Sequence, residues 1–162
     1  MHSKQKGNIA FSSVVLELQK HCFNVFTEVG DYSRVDIIAE KDSKLIKIQV
    51  KYAHDEKGQM VLNLVKSWPN GYRYTYSEND VDWFAVYSPS TEKIAWVSAD
   101  EACEQKRQFT FRLVPPKNKQ CVGIHLIEDY GIDRLLRDFT QDTVSSYGED
   151  KVQTTTEMAM ET

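Results

Sequence analysis

The runs Arg34-Val35-Asp36-Ile37-Ile38-Ala39-Glu40, Lys41-Asp42-Ser43-Lys44 and Leu45-Ile46-Lys47-Ile48-Gln49-Val50-Lys51 are consecutive and decide how the chain is read. Val and Ile alternate with polar residues on either side of four turn-forming residues, the pattern of a β-hairpin. With Glu40 opposite Leu45 across a four-residue loop, the antiparallel register sets Asp36 opposite Gln49 and Arg34 opposite Lys51. Side chains alternate faces along a strand, so Asp36, Gln49 and Lys51 share one side of the sheet. Val35, Ile37, Ile48 and Val50 are assigned to the other.

A carboxylate, an amide oxygen and an ammonium group so placed suit metal-assisted phosphodiester hydrolysis. A hard divalent cation, Mg²⁺ or Mn²⁺, takes oxygen ligands, here Asp36 first and the Gln49 carboxamide second. It lowers the pKa of water and offsets charge that builds on the phosphoryl group. Lys51 would orient the attacking water or stabilise that same charge. The alternation alone also fits an exposed sheet face on which Asp36 and Lys51 merely pair.

Asp36, followed after twelve residues by Gln49-Val50-Lys51, resembles the signature of the PD-(D/E)XK nucleases, with Gln in place of the second acid. The similarity extends upstream through Lys6-Gly7, Asn24-Val25-Phe26 and Val29-Gly30-Asp31-Tyr32-Ser33-Arg34. Downstream it continues through Asp80–Tyr87 and Phe111–Lys119, so that roughly residues 6–130 are similar to a compact prokaryotic branch of the superfamily. Within that branch the chain is most similar to the intron-encoded homing endonucleases. The resemblance implies an α/β fold: a mixed central sheet flanked by helices, with an added β-hairpin that reads DNA. It also implies Mg²⁺ or Mn²⁺ as cofactor, double-stranded DNA as substrate and a homo-oligomer, dimer or tetramer. Relatives tend to carry Glu four residues after the helix glycine, where this chain has Phe11. That residue is therefore expected either as an ordinary core aromatic or beside the active site, weakening metal binding because it cannot supply a carboxylate.

The 162 residues are 41% hydrophobic, enough for one domain with a real core. There is no apolar run of about 18 residues and no signal-type N-terminus, so a cytoplasmic protein with no membrane role is expected. The cysteines (Cys22, Cys103 and Cys121) include no CxxC pair, and the four histidines lack zinc spacing. The net charge of −4 resides in residues 140–162, so residues 1–139 sum to zero. Local distribution then matters more than the total. Between Glu104 and Lys119 lie five bases and one acid, a sign favourable to phosphate.

Residues 4–20 read as a helix, with Lys4 and Lys6 at its N-terminus, where a bound phosphate would relieve the conflict with the helix dipole. Phe23–Val29 reads as a strand. Ser33 and Arg34, just before Asp36, are placed to reach a scissile phosphate, and Asp31 to cap the turn. His54–Gly58 reads as a polar loop and Met60–Lys66 as a strand. Trp68-Pro69-Asn70-Gly71 turns this strand into Tyr72–Tyr76, giving a second hairpin. Its Asn63, Lys66, Arg73, Tyr74 and Thr75 suit a ribbon in the major groove.

Asp82–Ser88 and Lys93–Val97 read as a strand pair, and Ser98-Ala99-Asp100-Glu101 as a capping box opening a short helix. Phe109–Val114 reads as another strand, flanked by the phosphate-gripping candidates Arg107, Lys117 and Lys119. His125 is expected to pack rather than ligate. A last helix covers Gly131–Phe139. The domain is therefore placed at residues 1–139, and residues 140–162 as an acidic Ser/Thr-containing tail, flexible or docked on a neighbouring subunit.

The expected function is sequence-specific, metal-dependent double-strand DNA cleavage, by resemblance intron homing. Rival readings are a Holliday-junction resolvase, a restriction-type endonuclease, and a catalytically weakened DNA-binding form. Phe11 and Gln49 lend weight to the last.

Overall fold

The structure is a computed structural model that describes residues 1–30, 32–67, 69–116 and 122–145, with side chains to Thr140. Asp31, Trp68, the loop with Lys117 and Lys119, Cys121 and the tail beyond Ser145 lie outside the described residues. In chain order the elements are α1 (Ser3–Lys20), β1 (Asn24–Thr27), β2 (Ile37–Lys41), β3 (Lys44–Tyr52), β4 (His54–Glu56), β5 (Gln59–Asn63), β6 (Val65–Ser67) and β7 (Arg73–Thr75). They continue as β8 (Trp83–Tyr87), β9 (Ile94–Ser98), α2 (Ala99–Cys103), β10 (Gln108–Arg112), β11 (His125–Leu126), a 3₁₀ turn at Ile127–Tyr130 and α3 (Asp133–Ser145).

The central sheet runs β1-β2-β3-β8-β9; β3 and β8 are parallel and the other neighbours antiparallel. This is the mixed α/β core expected from the sequence. Ile37 pairs with Ile48 and Glu40 with Leu45, the anticipated register. The loop is shorter than expected, because Lys41 pairs with Lys44. Only Asp42 and Ser43 turn, both at positive φ (50° and 63°), as the right-handed twist of a two-residue hairpin requires.

On one face, Ile37, Ala39, Ile46 and Ile48 pack under Ala10, Val14 and Leu18 of α1, and Leu135 and Phe139 of α3 close the same core. The other face of β8 and β9 is covered by a second sheet, β11-β10-β5-β4, through Phe84, Val86, Met60, Leu62, Phe109 and Phe111. His125 stacks on Phe109 at 4.2 Å between ring centres, a packed histidine as expected. Among the described residues no helix is long and apolar enough to cross a membrane.

Four local readings are corrected. His54–Glu56 is a strand, not a loop, paired with β5 around a turn at Lys57 and Gly58, both at positive φ. The Met60–Lys66 strand is broken at Leu64. Its N–H donates to the Arg107 carbonyl (3.0 Å) and its carbonyl accepts from Tyr76 N–H (2.8 Å), so the chain leaves the second sheet there for the β6–β7 hairpin. Ser98 makes no side-chain cap bond; the Glu101 carboxylate is drawn instead to Tyr130 (2.6 Å) and Arg134 (2.7 Å). Finally, α3 runs on to Ser145, past the Phe139 at which the sequence pattern ends it.

The end of α1 fixes how the helix meets β1. Phe23 N–H donates to the Leu18 carbonyl (3.1 Å) and Cys22 N–H to the Gln19 carbonyl (3.0 Å), a Schellman closure with Cys22 at φ 62°. A Cβ is disfavoured in that conformation. Replacing the exposed Cys22 with Gly should therefore raise unfolding stability by about 1 kcal/mol in urea titrations. A loss of stability would contradict the closure.

Candidate active site

Asp36 stands at the entry to β2, and its N–H donates to the Ile48 carbonyl (3.0 Å), one residue away from the in-register partner Gln49. Its Oδ2 accepts from Val50 N–H (2.7 Å) and from Gln49 Nε2. The slip also redirects Val35. The sequence register assigned it to the Ile37 face, but it packs against the core on the opposite side.

Gln49 is 6% exposed. With its Nε2 on Asp36, its Oε1 accepts from the Tyr76 hydroxyl (3.0 Å). That hydroxyl in turn accepts from Lys51 Nζ (3.3 Å), which also lies 4.7 Å from the centre of the Tyr76 ring. One row of contacts thus runs Asp36–Gln49–Tyr76–Lys51. Reading the sequence missed Tyr76. The alternation Tyr72-Arg73-Tyr74-Thr75-Tyr76 marks a strand, but nothing in it says that the chain turns at Leu64 to deliver the last phenol to β3.

Electrostatics follow from burial. Desolvation lowers the Lys51 pKa, the Asp36 charge opposes that fall, and Lys66 adds to it. Burial also raises the Tyr76 phenol, helped by the Asp36 charge, to about 12. The phenol therefore stays protonated at neutral pH and can keep donating to Gln49.

The Asp36–Gln49 end of the row lines a cleft of about 680 Å³ between α1 and the ends of β1, β2 and β3, together with Lys4, Phe11, Glu28 and Tyr52, whereas Tyr76 and Lys51 do not line it. Phe11 thus borders the cleft that holds Asp36 while also packing against the α1 core. Oxygen donors from a carboxylate and a carboxamide fit a hard cation. For Gln49 to ligate, its carboxamide must turn over, bringing Oε1 to the Asp36 side and Nε2 to Tyr76. The phenol oxygen, which already accepts from Lys51, can accept from that nitrogen with its second lone pair, and its proton then needs an acceptor other than Gln49. Among the described residues no group of three or more His, Cys, Asp or Glu side chains forms a metal cluster.

The remaining candidates are more scattered. Lys4 lines the cleft, and Lys6 sits 5.7 Å over the Tyr52 ring. The Ser33 hydroxyl is used locally, accepting from Val35 N–H (3.0 Å). Arg34 does not face Lys51; it pairs with Asp80 (2.9 Å) and stacks 3.6 Å over the Tyr74 ring, which fastens the β6–β7 hairpin to the turn before β8. Burial would raise the Asp80 pKa, but hydrogen bonds from Tyr74, Ser77 and Arg34 hold it down at about 2. Lys66 and Tyr74 are paired and share the hairpin's inner face, whereas Arg73 and Thr75 are exposed on the other. Asn63 belongs to β5, opposite Gln108, and is not part of that hairpin. Arg107 is exposed in the turn that receives Leu64.

Because the Asp36 charge supports protonated Lys51, Asp36→Asn should push the Lys51 pKa further down, as followed by NMR titration of its side-chain resonances. An unchanged or raised pKa would break the electrostatic link between the two strands.

A search of curated protein sequences finds no match. Among solved structures the chain is similar to a bacterial homing endonuclease, I-Ssp6803I, at 21% identity and a TM-score of 0.71, covering 90% of this chain and 97% of that one. A second neighbour is Hjc, a Holliday junction resolvase of Archaeoglobus fulgidus, at 15% identity and a TM-score of 0.46, covering 77% of this chain and 95% of that one. The first likeness agrees with the mixed sheet and helices described above. A family model for the PD-(D/E)XK endonucleases matches residues 1–133. The chain belongs to the PD-(D/E)XK endonuclease family.

Proposed function

We propose that this chain is a metal-dependent, site-specific double-strand DNA endonuclease of the intron-homing type, acting as a homo-oligomer. The observation that carries the reading is the contact row Asp36–Gln49–Tyr76–Lys51 in an endonuclease-family chain, in which Tyr76 bridges Gln49 and Lys51 of one strand and Asp36 and Gln49 line a cleft. Asp36 and Gln49 are the ligands assigned to Mg²⁺ or Mn²⁺, and Lys51 presents its ammonium group to the phosphodiester. The cation, when bound, lowers the pKa of water and offsets charge on the phosphoryl group. Hydrolysis forms one P–O bond from water and breaks another, leaving a phosphomonoester and a hydroxyl. The half-buried Lys51 supplies positive charge where less water competes for it than at the open surface. Tyr76 positions both Gln49 and Lys51 through a single hydroxyl.

The exposed outer face of the β6–β7 hairpin, with Arg73 and Thr75, and the exposed Lys66 are assigned to the DNA groove and backbone. Lys4, Lys6 and Arg107 are assigned to phosphates. Arg34 is reassigned to holding the hairpin in place, given its bonds to Asp80 and Tyr74. Cutting two strands requires two such sites, which supports a symmetric oligomer and a nearly palindromic target. Phe11 at the cleft favours a second reading, a form that binds DNA but cuts it weakly.

Incubation with Mg²⁺ and the host gene lacking the intron should produce one mapped double-strand break. Asp36→Asn or Lys51→Met should slow that break by about a hundredfold or more while DNA binding persists. Binding with no cleavage in Mg²⁺ or Mn²⁺ would select the weakened form. Cutting of four-way junctions regardless of sequence would select a resolvase.

A further inference from the structure

We infer that Glu28 supplies the second carboxylate of the metal site, making good from strand β1 what Phe11 does not supply from helix α1; this rests on the metal-dependent nuclease reading above. β1 and β2 pair with Asn24 opposite Glu40 and Thr27 opposite Ile37. Glu28 and Asp36 are the residues next to that last pair, each just outside its strand, at the point where the Asp36 N–H bonds one residue out of step. Gln49 on β3 bonds Asp36, and Glu28, Asp36 and Gln49 all line the cleft beside α1. Glu28 also lines both clefts that Asp36 lines.

The Glu28 side chain is already oriented by the turn after β1. Its Oε2 accepts from Ser33 N–H (3.0 Å), and Oε1 is the atom assigned to the cation. That bond gives Ser33 a use other than phosphate contact: its backbone aims a carboxylate. Asp36 with the neutral Gln49 would offer a divalent ion one negative charge; adding Glu28 makes two, the charge match that tightens binding of hard cations. The donors around the row (Ser33 N–H, Val50 N–H and Gln49 Nε2) offset the repulsion between the two carboxylates before a cation arrives.

The test is Mn²⁺ binding to the DNA-free full chain, read from the EPR signal of free Mn²⁺. Glu28→Gln keeps an oxygen for Ser33 N–H and removes only the charge. It should weaken Mn²⁺ binding by roughly tenfold or more, and adding Phe11→Glu to that variant should restore most of the loss. Wild-type affinity in Glu28→Gln, alongside a loss in Asp36→Asn, would overturn the role of Glu28 and leave the metal site standing. Wild-type affinity in both variants would overturn the metal-dependent reading itself, and this inference with it.

Discussion

Gln49 is buried with both ends of its carboxamide engaged, the nitrogen by Asp36 and the oxygen by Tyr76, and much of the architecture follows from keeping it so. An amide buried without partners costs about 1–3 kcal/mol. The carboxylate partner comes from the adjacent strand. The phenol has to come from elsewhere, and it arrives because the chain breaks at Leu64 and returns through Tyr76 N–H to the Leu64 carbonyl. The second lobe is thereby tied to the β2–β3 hairpin through the Tyr76 hydroxyl, which meets both Gln49 and Lys51. Arg34 adds a second tie, gripping Asp80 and lying over Tyr74 on the same hairpin.

The same burial shapes the charges. Overall net charge says little about DNA, since residues 1–139 sum to zero. What matters is that Lys51 is partly desolvated, so its charge is costly in the protein alone and better compensated beside a phosphate. The protonated Tyr76 can turn from donor to acceptor when Gln49 turns over. A cation between Asp36 and Gln49 then takes the carboxamide oxygen, and the Tyr76 O–H, whose oxygen already accepts from Lys51, turns to a new acceptor.

The hairpin register was legible because Ile37, Ala39, Ile46 and Ile48 recur at every second position of their strands, and only one register buries all of them under α1. The Asn70-Gly71 turn was legible for a different reason, local backbone chemistry. Val35 was misplaced because alternation assumes an unbroken ladder, whereas the Asp36 N–H bonds one residue out of step. The capping box at Ser98 failed because Glu101 has stronger partners from distant sequence, Tyr130 and Arg134. Tyr76 and Glu28 were missed on similar grounds: their relevance depends on which strands become neighbours, and no local pattern records that. Position 11 stood out only by comparison with relatives, and the cleft explains why it matters.

The central claim is that Asp36 and Gln49 share a divalent cation beside a phosphodiester, with Lys51 in reach. Anomalous scattering from Mn²⁺ in crystals of the Lys51→Met protein bound to its DNA site tests it most directly. The account predicts an ion peak at the Asp36 carboxylate and the Gln49 carboxamide oxygen, with a phosphate oxygen among its other ligands and the residue-51 side chain pointing at that phosphate. An ion bound elsewhere, or DNA lying away from the cleft between α1 and the hairpin, would contradict it.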